Sequence, residues 1–201
     1  MFFKNIKTTN HLKKNKYYNA ILKGMDEKDK ENLMNMPKEK LISIFLENVI
    51  SLWGVDGLYF LGIEKRFGNE SATEIDKEVW SIMGALEGKR LKKHIEPSGN
   101  ALKDFYNAMK LTGWYLYMEN KDITYNDNYV EIKNYNCRIQ TTRIKKNLGE
   151  FPCVFVRKGY LQSFAKEIDP SLVVKEVVCP PSKHPPDLWC DWIISKGNIE
   201  I

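Results

Sequence analysis

After Gly113 the apolar residues change their period, and this limits the fold of the 201-residue chain more than any other feature. Upstream they recur at steps of three and four. Downstream, Trp114, Leu116 and Met118 alternate with Tyr115, Tyr117 and Glu119, and Val130 and Ile132 resume the alternation toward Cys137. Steps of three and four line one face of a helix, and steps of two line one face of a strand. Helices followed by strands predict an α+β protein, with an N-terminal helical lobe followed by an antiparallel sheet with a packed helix. The boundaries read as a basic, partly helical segment (1–36), a helical lobe (37–112) and an α+β lobe with the four cysteines (113–201), joined as one integrated globular unit.

Within the helical lobe, Pro37 suits a first turn, and Leu41, Ile44, Phe45, Val49, Trp53, Phe60 and Phe67 follow at helical spacing until Gly68 supplies a stop. This predicts one long buried helix, or two nearly collinear ones, central to a bundle, whose small residues, Gly57 among them, allow another helix to approach closely. Ser71-Ala-Thr-Glu74 has capping-box spacing and opens a second helix toward Leu91; a third spans about 100–112. His11 to Lys23 has the pattern of an isolated helix, whereas 24–35 is too polar to assign. In the second half, strands are predicted at 114–118, 130–137, 172–179 and 188–195, with a helix from Cys153 to Ile168 opened by Pro152.

The formal charge is +5, from 31 basic and 26 acidic residues, and much of the excess lies in the first 23 residues. A dense basic patch interleaved with aromatics is lacking, which argues against a nucleic-acid partner. Met1-Phe2-Phe3 runs at once into Lys4 and Asn5, so no secretory signal is expected. The stretch Leu41 to Ile63 has the length to span a bilayer, yet Glu47, Asn48, Ser51 and Asp56 interrupt it and favour a soluble helix with no membrane partner. The expected location is the cytoplasm, with Cys137, Cys153, Cys179 and Cys190 reduced. The expected partner is a small-molecule ligand, and the oligomeric state is open.

Three side chains suit catalysis. Cys153, in the first turn after Pro152, would lie at the positive end of a helix dipole, which favours thiolate; packing as a small buried residue under Phe151 and Phe155 is the commoner fate of such a cysteine. Asp56 and Glu64 lie along the apolar stripe of the long helix, where a buried carboxylate needs a partner or a shifted pKa. On a strand 137–143, Arg138, Gln140 and Thr142 would share one face; Arg138 or Arg143 would anchor a ligand carboxylate and Gln140 would meet a polar heterocycle. Trp189 joins them as a substrate-binding side chain, although the tryptophans read more readily as core. No metal or other cofactor is expected; the alternative is a metal ion held by Cys137, Cys153, Cys179 and Cys190, against which stands the absence of a closely spaced cysteine pair.

Several blocks occur in a set order: Trp53-x-x-Asp56-Gly57, Glu64, Phe67-Gly68, Trp80, Cys137-x-x-Gln140-x-x-Arg143, Phe151-Pro152-Cys153, Phe164-Ala165, Ile168-Asp169-Pro170, Cys179-Pro180-Pro181 and Cys190-Asp191-Trp192. In these the chain resembles an uncharacterised family of bacterial and archaeal cytosolic proteins, distantly similar to the L-2-amino-thiazoline-4-carboxylic acid hydrolases. The resemblance implies a small-ligand pocket between helices and sheet, and a hydrolase acting on a C–N bond of a small carboxylate-bearing substrate. The alternative is a non-catalytic ligand- or metal-binding sensor or carrier.

Overall fold

The structure, a computed structural model, describes residues 16–197. It divides into two compact units after Asn48. In the first unit lie α1 (Lys16–Gly24), α2 (Glu27–Met34) and the beginning of α3 (Lys38–Leu91). The polar stretch left unassigned from sequence contains α2, which starts where the Asp26 side chain accepts a hydrogen bond from the Asp29 N–H at 2.7 Å. Of the expected helix from His11 to Lys23, the part before Lys16 lies outside the described residues.

In the second unit α3 folds back on itself. Gly68 sits at φ 86°, ψ 165°, a conformation open to glycine and disfavoured for other residues, and it separates an arm ending at 67 from an arm spanning 69–91. Trp53 and Trp80 consequently stack with ring centroids 4.7 Å apart. In one straight helix they would be roughly 40 Å apart. The second helix thus begins directly after Gly68, before the capping-box sequence at Ser71.

After a 3₁₀ turn (Lys92–His94) come α4 (Ala101–Met109), whose Asn100 cap accepts from the Leu102 and Lys103 N–H groups, and the short α5 (Gly113–Tyr117). Strands β1 (Asn120–Tyr125) and β2 (Tyr129–Asn136) precede α6 (Arg138–Lys145), then α7 (Cys153–Ile168), β3 (Leu172–Val178) and β4 (Cys190–Lys196). All neighbours in the sheet order β1-β2-β4-β3 are antiparallel, with Ile132 opposite Trp192 and Val130 opposite Ile194. Helix α7 packs on β3, and α4 touches β1, β2 and β4. The α+β class and its helices-then-sheet order are therefore as expected.

Three expectations are corrected. The segment 114–118 is helix α5: the Thr112 hydroxyl accepts from the Tyr115 N–H at 3.0 Å, and this cap outweighs a short alternation of aromatic residues. The segment 137–143 turns helical after Cys137, which puts Gln140 and Arg143, rather than Arg138 and Gln140, on the buried face. Third, α3 is helical but largely uncovered. Val49, Trp53 and Phe60 are buried, while Leu58, Tyr59 and Phe67 are each about two-thirds or more exposed. A Cβ placed on Gly57 meets nothing within 4 Å, so among the described residues no helix packs closely against that face. Among the described residues, Lys38–His94 is the one run long and apolar enough to cross a membrane, with 11% of its most apolar window buried.

Close packing occurs instead between the second arm and α7. Gly84 and Gly88 lie against the backbone of Tyr160 and Phe164, and Gly159 lies against Ser81. The Tyr160 hydroxyl donates to Glu87 Oε2 at 2.7 Å, while Glu87 Oε1 accepts from the Gly113 N–H at 3.2 Å. One carboxylate on the second arm thereby ties together α7 and the start of α5.

Candidate functional site

A cavity of about 240 Å³ opens between the two arms of α3, helix α6 and the beginning of α7. This is slightly below the roughly 300–1,000 Å³ of drug-sized pockets, and suits a small metabolite. Its apolar wall includes Trp53, Phe60, Trp80, Tyr117 and Phe151; its charged lining comprises Asp56, Asp76, Arg138, Arg143, Lys146 and Arg157.

Arg157 is the least expected of these. It is 4% exposed and projects from the first half of α7 among the rings of Trp53, Trp80, Trp114 and Tyr160, with its guanidinium carbon 4.5 Å from the centroid of Trp114 and 4.9 Å from that of Tyr160. Ring faces attract a cation but accept no conventional hydrogen bond. Among the described residues, Nε and Nη1 have no hydrogen-bond partner. A buried cation in this state is costly unless opposite charge stands near or arrives with a ligand.

Two carboxylates face it. The Trp80 indole N–H donates to Asp56 Oδ1 at 3.1 Å, and Asp76, one turn before Trp80 on the same arm, lines the cavity beside them. Burial raises the Asp56 carboxyl above its ordinary value, with the Trp80 hydrogen bond and the Arg157 charge opposing. Asp76 is pushed up to about 7, by burial first and by the negative charge of Asp56 second, against the pull of Arg157. Asp56 is thus paired with another arm of the fold, as the sequence led one to expect, and it lines the cavity. Asp76 was missed. A sequence signal existed: it falls four residues after Ala72 and four before Trp80, both buried, so it lies on the inward stripe of the second arm.

Glu64 and Arg143 hold each other. Arg143 Nη1 and Nη2 donate to Glu64 Oε2 and Oε1 at 2.9 and 2.8 Å, and Nη2 and Nε also reach the carbonyls of Leu148 (2.9 Å) and Gly149 (3.3 Å). With its fork filled this way, Arg143 has little left to give a ligand. The pair pins the first arm to α6 and the loop after it. Arg143→Leu is expected to lower stability by about 2 kcal/mol, because it strips a half-buried carboxylate and two carbonyls of donors. The Glu64 carboxyl is held below its ordinary value, chiefly by the Arg143 hydrogen bonds. Its contribution is therefore complete above the ordinary value and fades as pH falls through the lower folded value. Urea midpoints at about pH 7 and about pH 3 should show a gap between wild type and Arg143→Leu that narrows in acid; an equal gap at both would contradict this role for the pair.

Gln140 is also committed: its Nε2 donates to the Phe151 carbonyl at 2.9 Å and its Oε1 accepts from the Phe151 N–H at 2.8 Å. Instead of meeting a heterocycle, it fixes the chain just before α7. Arg138 is half exposed at the cavity, over the ring of Tyr117 and 3.5 Å from Glu119, so of the two expected anchors it is the accessible one. Trp189 lies tilted against the His184 ring, with centroids 4.7 Å apart and the planes 39° apart, and is outside the cavity lining.

Cys153 opens α7, as expected, but the first-turn N–H groups are already engaged: Cys153, Val154 and Phe155 donate to the carbonyls of Phe151, Pro180 and Pro152. The thiol is nevertheless lowered, first by a hydrogen bond from Cys179 and then, against burial, by Arg157. Cys179 is correspondingly pushed up. Burial raises Cys137 to about 11 and raises Cys190 as well. All four cysteines are free thiols, and Cys153 lies beside Arg157 without lining the cavity. Among the described residues, no group of three or more His, Cys, Asp or Glu side chains is disposed to hold a metal ion.

A helical hairpin packed on α7, which itself lies on a four-stranded antiparallel sheet, with a small aromatic cavity between the hairpin's arms, defines an α+β protein with a built internal site. The chain belongs to the DUF6125 family, a family of unknown function, whose profile matches residues 34–195. No curated protein and no solved structure matches it.

Proposed function

We propose that this is a cytoplasmic protein that binds a small carboxylate-bearing molecule in the cavity lined by Arg157. The observation that carries the reading is Arg157, 4% exposed, whose Nε and Nη1 lack hydrogen bonds among the described residues, set in a cavity wall. Around it the lining holds Arg138 and Lys146 besides the committed Arg143, against the carboxylates of Asp56 and Asp76, so the balance favours an anion. Aromatic walls would take the ligand's apolar body. Asp56 on the largely exposed arm, together with Glu47, Asn48 and Ser51, supports a cytoplasmic over a membrane location.

In the enzymatic version, the ligand is hydrolysed at a C–N bond. Ionised Asp56 would draw a proton from the attacking water while protonated Asp76 gives its proton to the departing nitrogen. A distant kinship with the thiazoline-carboxylate hydrolases and a place among bacterial and archaeal cytosolic proteins, which we propose from the sequence blocks alone, would be in keeping with this direction. The non-catalytic carrier or sensor reading is favoured by one observation: the Cys153 thiol, the expected nucleophile, is not on the cavity wall.

Calorimetric titration of the full chain with benzoate and phenylacetate, each beside its amide, tests the reading. Carboxylates should bind and their amides should bind about tenfold or more weakly, with Arg157→Gln losing roughly 10- to 100-fold in carboxylate affinity and Arg157→Lys losing less, as expected for a charge-assisted contact. Amides binding as well as acids, or Arg157→Gln binding unchanged while folded, would remove the anion site. Release of ammonia or amine from small amide-bearing carboxylates separates enzyme from carrier.

A further inference from the structure

Anchoring an anion on Arg157 does not by itself require two carboxylates in the same wall. Asp56 and Asp76 come from opposite arms of the hairpin and both line the cavity beside Trp80, whose indole N–H donates to Asp56. Among the described residues, Asp56 accepts a hydrogen bond from that N–H and from no other donor, and both acids share the cavity with Arg157. Two carboxylates in one aromatic wall, near enough for the charge of Asp56 to act on Asp76, repel each other, and the pair is relieved when one of them holds a proton.

We propose that the Asp56–Asp76 pair takes up one proton as the cavity admits its ligand, and that the ligand class is a small, flat-bodied carboxylic acid bound as its anion between Arg157 and the protonated aspartic acid. The inference rests on the carboxylate reading given above and adds to it the proton and the shape of the ligand. The stacked Trp53 and Trp80 rings, with Tyr117 5.4 Å from Trp53, favour a planar body. A protonated carboxyl is a donor, so it converts a repelling wall into one that shares the ligand's charge with Arg157.

The groups facing Asp76 are Asp56 and the Trp80 N–H from the hairpin, and Arg157 and Cys153 from α7; Arg138, Arg143 and Lys146 of α6 and the turn after it complete the charged lining. Burial and Asp56 already raise Asp76. An arriving carboxylate adds a further negative charge and engages Arg157, which raises the acid again. The bound state therefore holds more protons than the free state near neutrality, and affinity declines as pH rises.

Titration of the full chain with benzoate, in phosphate and in Tris at about pH 7.5, reads this directly. The apparent enthalpies should differ between buffers by an amount corresponding to roughly half to one proton taken up, and affinity should fall toward about tenfold per pH unit as pH rises from about 7.5 to about 8.5. Asp76→Asn should abolish both the uptake and the slope, and Asp56→Asn serves as a second variant of the pair should the first fail to fold. Cys153→Ala should keep both. Benzoate binding with buffer-independent enthalpy and no pH slope overturns the proton uptake while leaving the anion site standing. Loss of the uptake in Cys153→Ala overturns the assignment to the aspartates. No binding of any carboxylate at any pH removes the anion site and this inference together.

Discussion

Gly84→Ala is expected to destabilise the protein by about 3 kcal/mol or more, the upper range for overpacking, because the added carbon would strike the Tyr160 carbonyl and lie 3.0 Å from the Tyr160 Cα. Both obstacles are backbone, in the middle of a well-packed helix, and neither is able to swing aside. Gly57→Ala should do the opposite. Nothing stands within 4 Å of its added carbon, so the gain in helix propensity, about 0.5–1 kcal/mol, is all that remains. Urea denaturation with a common m-value measures both. A Gly84→Ala midpoint within a few tenths of a molar of wild type would mean that the second arm and α7 do not meet backbone to backbone.

Phe164→Ala is expected to cost about 4 kcal/mol. Phe164 is fully buried on α7, edge-on to Phe105 of α4 at 5.7 Å and beside Tyr160, while Gly88 of the second arm rests on its backbone. Removing its ring leaves a void where α4, α7 and the hairpin converge, and little can collapse into it. Phe155, nine residues earlier on the same helix, is 53% exposed, and its replacement by Ala should change stability by less than about 0.5 kcal/mol. Equal effects at the two positions would contradict the orientation of α7.

That orientation was readable in the sequence. Pro152 marks a helix start, Val156, Tyr160, Leu161, Phe164 and Ile168 follow at steps of three and four, and the observed helix has the predicted limits. Strands β3 and β4 were equally legible, because β-branched runs there are bounded by Asp169-Pro170 and a proline-rich loop. The segments 114–118 and 137–143 were not. Each is short enough to fit either period, and side-chain or backbone hydrogen bonds at Thr112 and Cys137 decided for helix. The apolarity of the arm before Gly68 was also legible, but a pattern tells which residues favour burial, not whether anything covers them.

The site divides in the same way. Asp56 stood out as a charge in an apolar stripe, and Arg157 and Asp76 carry the same mark, each at helical spacing from buried neighbours. What no spacing could give was their meeting, which depends on a bend twelve residues after one aspartate and eight before the other. Gln140 and Arg143 were assigned to a ligand from sequence; their donors go to Phe151, Glu64 and two carbonyls because the segment is a helix.

The bend at Gly68 also makes arm length a form of register. Each residue added to a helix turns everything beyond it by about 100° and advances it about 1.5 Å. One residue inserted between Asp56 and Gly68 would swing Asp56 and Trp53 away from Trp80, and one inserted between Gly68 and Asp76 would do the same to the other side of the pair. Length changes that spare the cavity would have to come in near-whole turns matched on both arms, as the links of two meshed chains must be removed together. The chain between 53 and 80 should therefore tolerate substitution on its open face far better than insertion or deletion of even one residue.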